Sequence, residues 1–413
     1  METPRPRQIV IAGAGIAGLT AAIAFAMRGF SVRLYEQAPE LEEAGAGLQL
    51  SPNATRLLDS LGVLDFLRPA AVRPDRIELR GGRDGKPIAS IPLGSEAEDR
   101  WGAPYLVVHR ADLQSALVAR AAREHDIKLV KGARVADAAL HARGATVSID
   151  RGGRIDEVSC LLLVGADGVR SGVRGLGRGA RADRPTGHVA WRTTIRHDSR
   201  TGEALSGLMP DDAVTVFLHP RFHLVAYPIR AGTALNLVVI TKGDEGMERA
   251  AGADPAPLAK AMRRLRGPLA SLAQDAAPWT LWPISAVDER IAWTGAQGVA
   301  LVGDAAHAMT PFAAQGAAMA IEDAVILADL VAGRPGDIAG ALAAYEAIRR
   351  PRVKRVASRG RFNHFVWHAR FPVSFGRNIV LKLREKSLAA DLDWLYGYDA
   401  RRAAAEKAPV KAK

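Results

Sequence analysis

Three places in this chain hold an unbroken apolar run instead of alternating: "IVIA" in residues 7–12, "LLLV" in the segment "SCLLLVGADG" and "VALV" in the segment "GVALVGD". A strand with no polar face is buried on both sides, the habit of a parallel sheet. The first run opens "IVIAGAGIAGLTAAIAFAMRGFSVRLYE", residues 9–36. Its pattern predicts a strand over 7–12, a helix over 16–29 and a second strand over 31–36. Ser51-Pro52 is a helix start, and a helical period carries "NATRLLDSLGV". Residues 75–93 read as a hairpin turning at Asp84-Gly85. A helix over 111–124 follows "VVHRADL", with Asp112 in its first turn, and strands are expected near 128–130, 133–140 and 145–150.

After residue 180 the pattern changes to alternation rich in β-branched residues: "VAWRTTI", "AVTVFL", "HLVAYPI", "LNLVVIT". This predicts a mainly antiparallel sheet across 187–290. A long helix from about 316 and helices over 337–360 and 373–396 come next, and the tail "AAAEKAPVKAK" reads as frayed. The expected fold is therefore α/β: a Rossmann-like domain assembled from discontinuous segments, an inserted antiparallel-sheet domain, and C-terminal helices. The boundaries read as 1–180, with a hairpin at 73–93 on the substrate side, then 181–290, 291–360 and 361–413.

Composition narrows the classes. The 413 residues suffice for one large domain or two intimate ones. No apolar stretch is long enough to span a membrane. Arg5 and Arg7 before an apolar run resemble a secretion signal, but three spaced glycines and the following Arg28, Arg33 and Glu36 argue against one. Cys160 is the only cysteine, which excludes an internal disulfide and a cysteine-rich metal site and suits a reducing cytoplasm. Net charge is +12 with the arginines scattered. That favours anionic small ligands over nucleic acid, which needs a clustered patch.

Gly13, Gly15 and Gly18 form a GxGxxG in the right context. The first permits a tight turn, the second lets a pyrophosphate approach the backbone, and the third lets helix pack on strand. Glu36 ends the next strand, where an acid accepts from ribose hydroxyls. This predicts a dinucleotide, FAD or NAD. "LLLVGADGVRSGVR" (161–174) and "GVALVGDAAHAMTPFAAQGAAMAIEDA" (298–324) each end a buried strand in Gly and Asp, and the second runs into a helix N-terminus able to stabilise negative charge.

Together "GAGIAGL", "GADGVRS" and "LVGDAAHAMTPFAAQGA" resemble the FAD fingerprint, DG and GD motifs of the class A flavoprotein aromatic hydroxylases, which share the p-hydroxybenzoate hydroxylase fold. "VVHRADLQ" extends the resemblance to that family, and "DWLYGYD" resembles its salicylate hydroxylase and 3-hydroxybenzoate 6-hydroxylase subgroup. The resemblance implies a role for each matching residue. Gly13, Gly15, Ala17, Gly18, Glu36 and Gln37 would hold the ADP half of FAD. Arg110 and Gln114 would reach its flavin-side phosphate or ribityl region, and Val135 its adenine. Asp167 would support FAD, and Gly303 and Asp304 the ribityl chain. Pro311, Gly316 and Ala317 would border the flavin ring, with Leu48, Gln49 and Leu50 nearby.

The same resemblance implies a monooxygenase that meets NADH or NADPH briefly, consistent with a single cradle, and hydroxylates a phenolic or aromatic acid with O2. The reaction would run through a flavin 4a-hydroperoxide sheltered from water. Hydroxylating a phenol calls for a base or proton relay. His219, His223 and Tyr227 share a face if "FLHPRFHLVAYPI" is one continuous strand, which Pro220 and Pro228 put in question. Tyr227 and then His223 are the favoured catalytic candidates. Gln49, Arg192 and Phe312 are the substrate-side candidates, although Arg192 could also face solvent. Phe312 stands where some relatives carry a polar residue, which keeps open a larger polycyclic or quinone substrate, or an epoxidase. A flavin-binding sensor without turnover is the alternative of another class. The expected assembly is a monomer or homodimer, with no metal, nucleic acid or membrane.

Overall fold

The computed structural model describes residues 7–41, 47–142, 144–176, 183–243, 247–263, 265–295 and 298–406. Arg5 and the tail beyond residue 406 lie outside them. The chain opens with β1 (Gln8–Ala12), α1 (Ile16–Ala26) and β2 (Ser31–Glu36). The helix ends before the expected position because Gly29 turns left-handed at φ +74° and its N–H caps Ala26. Next come β3 (Gly47–Leu50), α2 (Pro52–Ser60), the hairpin β4 (Arg76–Gly81) and β5 (Pro87–Pro92), then β6 (Leu106–His109), α3 (Arg110–Ala121) and β7 (Ile127–Lys131).

A three-stranded antiparallel sheet follows: β8 (Arg134–His141), β9 (Gly144–Arg151) and β10 (Arg154–Cys160). Its third strand was not foreseen. The apolar run expected as one strand is divided, with Cys160 ending β10 and β11 (Leu162–Gly165) returning to the main sheet. The central stretch gives β12 (Asp183–Arg196), β13 (Ala213–His219), β14 (Phe222–Ile229), β15 (Ala234–Lys242), β16 (Ala250–Ala253) and β17 (Trp279–Val287). Then come β18 (Thr294–Gly295), β19 (Val299–Leu301), α4 (Gly316–Gly333), α5 (Ile338–Trp367) and α6 (Val373–Leu383).

The three apolar runs meet. The main sheet has the order β18-β19-β11-β1-β2-β7, parallel except at the β18 edge. Ile9, Val10, Ile11, Leu162 and Leu163 are wholly buried there. Helix α1 is apolar on every side because α4 packs against it as well as the sheet.

The second sheet has eight strands, β16-β17-β12-β15-β14-β13-β4-β5, and so takes in the β4–β5 hairpin through a parallel β4–β13 pairing. Side chains alternate across it. Trp191, Leu224, Leu237 and Val239 fill the core on one face, closed by Leu258, Met262 and Leu272 from short helices. Tyr227 opposes Asn236, and Arg192 opposes Val238, on the other face.

His219 does not share that face. The strand breaks at Pro220-Arg221, so His219 ends β13, opposite Phe222, and stacks on its ring. A two-residue turn between paired strands reverses the parity that a continuous strand would have kept. At the C-terminus α5 continues to Trp367, α6 stops at Leu383, and short helical turns carry the chain to Tyr396. The helix Ala400–Glu406 takes in Ala403–Glu406, the start of the tail expected to fray.

Candidate active site

The three glycine turns form a cradle that FAD fits. Gly13 has φ +95°, and a Cβ there would sit 2.6 Å from Ala166 O. A Cβ on Gly18 would lie 1.8 Å from Gly13 O, so helix and strand touch backbone to backbone. In contrast, Gly15 and Gly316 each face open space. Those are the two positions from which a pyrophosphate and a flavin ring would be approached, one at the start of α1 and the other at the start of α4.

Glu36 accepts from Ala14 N–H at 2.8 Å and Ala38 N–H at 2.9 Å. Each oxygen keeps lone-pair capacity for a ribose hydroxyl. Gln37 is exposed just beyond, and Ala17 meets the Gly303 turn, where an added Cβ would come within 3.1 Å of its methyl. Val135 belongs to β8, whose approach is tied to the end of β2 by Ala133 N–H on Glu36 O. Gln114, one turn into α3, donates to Ala14 O at 2.9 Å and holds the glycine loop. Arg110, the first residue of α3, is exposed. Asp167 accepts from Ser171 Oγ at 2.5 Å and Val173 N–H at 3.0 Å, so it braces the second turn from within. Asp304 is exposed just after Gly303, whose φ of +60° swings the chain away from β19.

A buried ionic network behind these turns was missed. Its sequence signal is the acidic pair in "MAIEDAVILADL", an otherwise apolar helix. Asp323 Oδ2 accepts from Gly303 N–H at 2.8 Å and pairs with His307 Nε2 at 2.6 Å. Burial alone would raise the Asp323 carboxyl, but His307 and Arg349 outweigh it and hold it at about 2. Glu322 bonds Arg349, Arg352 and Asn53. Gln315, at the start of α4, closes a side-chain ring with Ser51 and Asn53. His307 is thus bound into this network. Pro311 begins the turn that leads to Gln315, Gly316 and Ala317.

The open face of the second sheet carries the polar groups. Gly47 N–H donates to Asn236 Oδ1 at 2.7 Å, joining β3 to that sheet, and a Cβ on Gly47 would strike the Tyr227 ring at 2.5 Å. Tyr227 is buried, and burial pushes its hydroxyl above the usual phenol range, only partly offset by Arg192. Asn236 Nδ2 and Arg192 Nε are both buried without a hydrogen-bond partner. Arg192 does not face bulk solvent: its charge is felt with those of Tyr227, Arg110, Arg249 and Asp304, and burial lowers its pKa. It shares the Trp282 ring with Arg249, the two guanidiniums lying 5.4 Å and 3.9 Å from the centroid. Gln49, on β3, accepts from Tyr105 Oη at 2.7 Å.

His223 points from the same face into an aromatic cluster. Phe312 lies 5.4 Å from it and Trp367 5.0 Å, centroid to centroid. His188, His364 and His368 also border Phe312. The apolar surface of Phe312 is spent on this packing. Burial and the neighbouring imidazoles hold His223 well below its ordinary pKa, so it is neutral. Among the described residues no cluster of side chains could hold a metal ion. No helix there is long and apolar enough to cross a membrane.

Comparison with known proteins agrees with this geometry. The FAD binding domain family model matches residues 7–360. A 3-hydroxybenzoate 6-hydroxylase of Klebsiella oxytoca is 34% identical over 400 residues, 94% of this chain and 96% of that one. A 3-amino-4-hydroxybenzoate 2-monooxygenase of Streptomyces platensis is 35% identical over 416 residues, covering 97% and 98%. A variant of Klebsiella pneumoniae HpxO solved with FAD superposes with a TM-score of 0.78 at 26% identity, covering 94% and 97%. The cradle is that of FAD, the reductant is NAD(P)H as in the family, and the chain belongs to the class A flavin hydroxylases, as an FAD-dependent aromatic monooxygenase.

Proposed function

We propose that the substrate is a small phenolic carboxylate of the hydroxybenzoate type, hydroxylated with O2 at the expense of NADH or NADPH in the cytoplasm. The observation that carries this reading is Arg192: a buried guanidinium nitrogen without a partner, on the open sheet face, beside a second guanidinium on the same indole. Such a site is strongly cationic and poorly solvated, and a carboxylate satisfies it with charge-assisted hydrogen bonds.

Bound FAD supplies activated oxygen from NAD(P)H and O2. The residues of this chain do the rest. Gly13, Gly15, Gly18 and Glu36 would hold the adenosine diphosphate half, with Gln37 and Val135 toward the ribose and adenine. Arg110, Asp304 and the turn from Gly303 would hold the linker. The first N–H groups of α4, at Gly316 and Ala317, would offer donors to the flavin ring. Arg192 fixes the substrate carboxylate, Tyr227 donates to the phenolic oxygen, and His223 Nε2 takes the phenolic proton as the ring carbon is attacked. Asn236 holds the edge of β3 and so the position of Tyr227 and Gln49.

The test is a panel of 3-hydroxybenzoate and related phenolic acids set against their uncharged alcohols, with NAD(P)H oxidation and product mass followed together. Stoichiometric hydroxylation of an acid, with the alcohols poor, supports the reading. Equal turnover of charged and uncharged members removes Arg192 from it.

A further inference from the structure

We propose that His368, the residue that ends α5, is the group to which His223 passes the phenolic proton, so that the charge rests at a helix terminus and not beside the flavin. This rests on the reading of His223 as the base.

The hydrogen-bond pattern assigns the protons. His368 Nδ1 lies 2.9 Å from His364 O. A carbonyl only accepts, so this nitrogen carries hydrogen and the Nε2 of neutral His368 carries the lone pair. His368 Nε2 is 3.3 Å from His223 Nδ1, which therefore donates. The Nε2 of His223 is left as the basic nitrogen, the one required toward a substrate. Among the described residues no carboxylate acts on either ring: the groups felt by His223 are His368, His364 and His188, and those felt by His368 are His364 and His188. Lys242 adds a positive charge near His188 and His364. A carboxylate partner would hold His223 as a standing cation. An imidazole partner keeps it neutral until the substrate delivers a proton.

The transfer balances. The phenolic O–H breaks and its proton joins His223 Nε2. The Nδ1–H of His223 breaks and that proton joins His368 Nε2, leaving phenolate and a His368 imidazolium with both nitrogens protonated. The same two bonds return a proton to the product oxygen. The direction follows from surroundings. His223 is 1% exposed, beneath Phe312 and Trp367. His368 is only part-buried, so burial opposes a cation there less than it does on His223. It acts through His223 as a positioning residue.

The test uses the flavin-loaded enzyme carrying His368→Ala, His368→Gln and His223→Asn. Glutamine can accept the His223 N–H but cannot take up a proton. Both His368 variants are expected to keep full flavin and unchanged substrate affinity, measured by the substrate-induced flavin spectral shift. Coupled hydroxylation near neutrality should fall roughly a hundredfold or more in both, the range of positioned proton transfer. The deficit should shrink as pH rises toward the phenol's own ionisation, and free imidazole should restore His368→Ala where the non-basic isostere thiophene does not. Parent-like turnover in His368→Gln, or a loss that imidazole does not restore, overturns the relay while leaving His223 as base if His223→Asn is slow. Parent-like turnover in His223→Asn overturns the base reading and the relay with it.

Discussion

Asp323 accepts a hydrogen bond from the Gly303 N–H at 2.8 Å with one carboxylate oxygen, while the other accepts from Arg349 Nε at 2.7 Å. The turn that presents Asp304 is therefore pinned from behind by a carboxylate on α4, and that carboxylate is neutralised from α5. Asp323, Glu322 and Arg349 are all wholly buried. Replacing Arg349 with Ala removes the cation that the two buried carboxylates share, leaving Glu322 to Arg352 and Asp323 to His307. The expected loss is about 3–5 kcal/mol of stability, read as a lowered melting temperature, together with reduced bound flavin read from its visible absorbance. An Arg349→Ala protein with parent stability and flavin would show that the network does not hold the turn.

Tyr227 and Gly47 make a paired prediction. Tyr227→Phe removes a donor but no volume, so flavin should stay and coupled turnover should drop by roughly ten- to a hundredfold, the worth of a hydrogen bond to a charged group. Gly47→Ala should do comparable damage by another route, because its Cβ would meet the Tyr227 ring at 2.5 Å and hydroxyl at 2.8 Å. Adding Gly47→Ala to Tyr227→Phe should then cost less than Gly47→Ala alone. Steady-state kinetics on the three variants checks this.

Arg192→Met should keep flavin and the sheet fold, since the thioether still covers Trp282. KM for a phenolic acid should rise roughly a hundredfold, the effect of about 3 kcal/mol in a charge-assisted contact, while an uncharged phenol of the same shape is barely affected. Equal changes for both substrates would indicate general damage to the pocket.

Stability should fall in two stages as pH is lowered. Burial holds His188, His223 and His364 below their ordinary value, and holds His219 and His368 at about 4. Between roughly pH 6.5 and 4 the unfolded chain therefore binds more protons than the native one, and stability declines with falling pH. Asp323 works lower down. Its depressed folded value of about 2 contributes stability above the unfolded carboxyl range, lost as pH falls toward 2. Thermal melts from pH 8 to 4 check the first stage. His368→Gln should flatten it, and a slope unchanged in that variant would show that this imidazole does not contribute.

Much of the cradle was legible because its requirements are local. A tight turn needs Gly13, a close helix needs Gly18, and an acid must end β2, so spacings within one βαβ unit suffice to find them. Gln114 and Arg110 were reachable only through resemblance, and the structure shows why: Gln114 acts on Ala14 O, one hundred positions away in sequence. The face shared by His223 and Tyr227 was legible from strand parity, whereas His219 leaves it because the strand is not continuous: the turn at Pro220-Arg221, where Pro220 already put continuity in question, resets that parity. His364 and His368 left no trace in local pattern. They sit at the end of a helix expected to stop at residue 360, and only its continuation to Trp367 brings them over β14. The buried partners of Asp323 were equally out of reach, since a charge in a helix says nothing of which distant arginine meets it.

The order in which the main sheet is strung has a consequence for biogenesis. β1 waits for β11 as its neighbour, β11 waits for β19, and the cover over α1 is α4, which ends at Gly333. Most of the polypeptide must therefore leave the ribosome before a flavin can be gripped, and a nascent chain cut short anywhere before that helix would emerge with a finished nucleotide fingerprint and nothing to close over it.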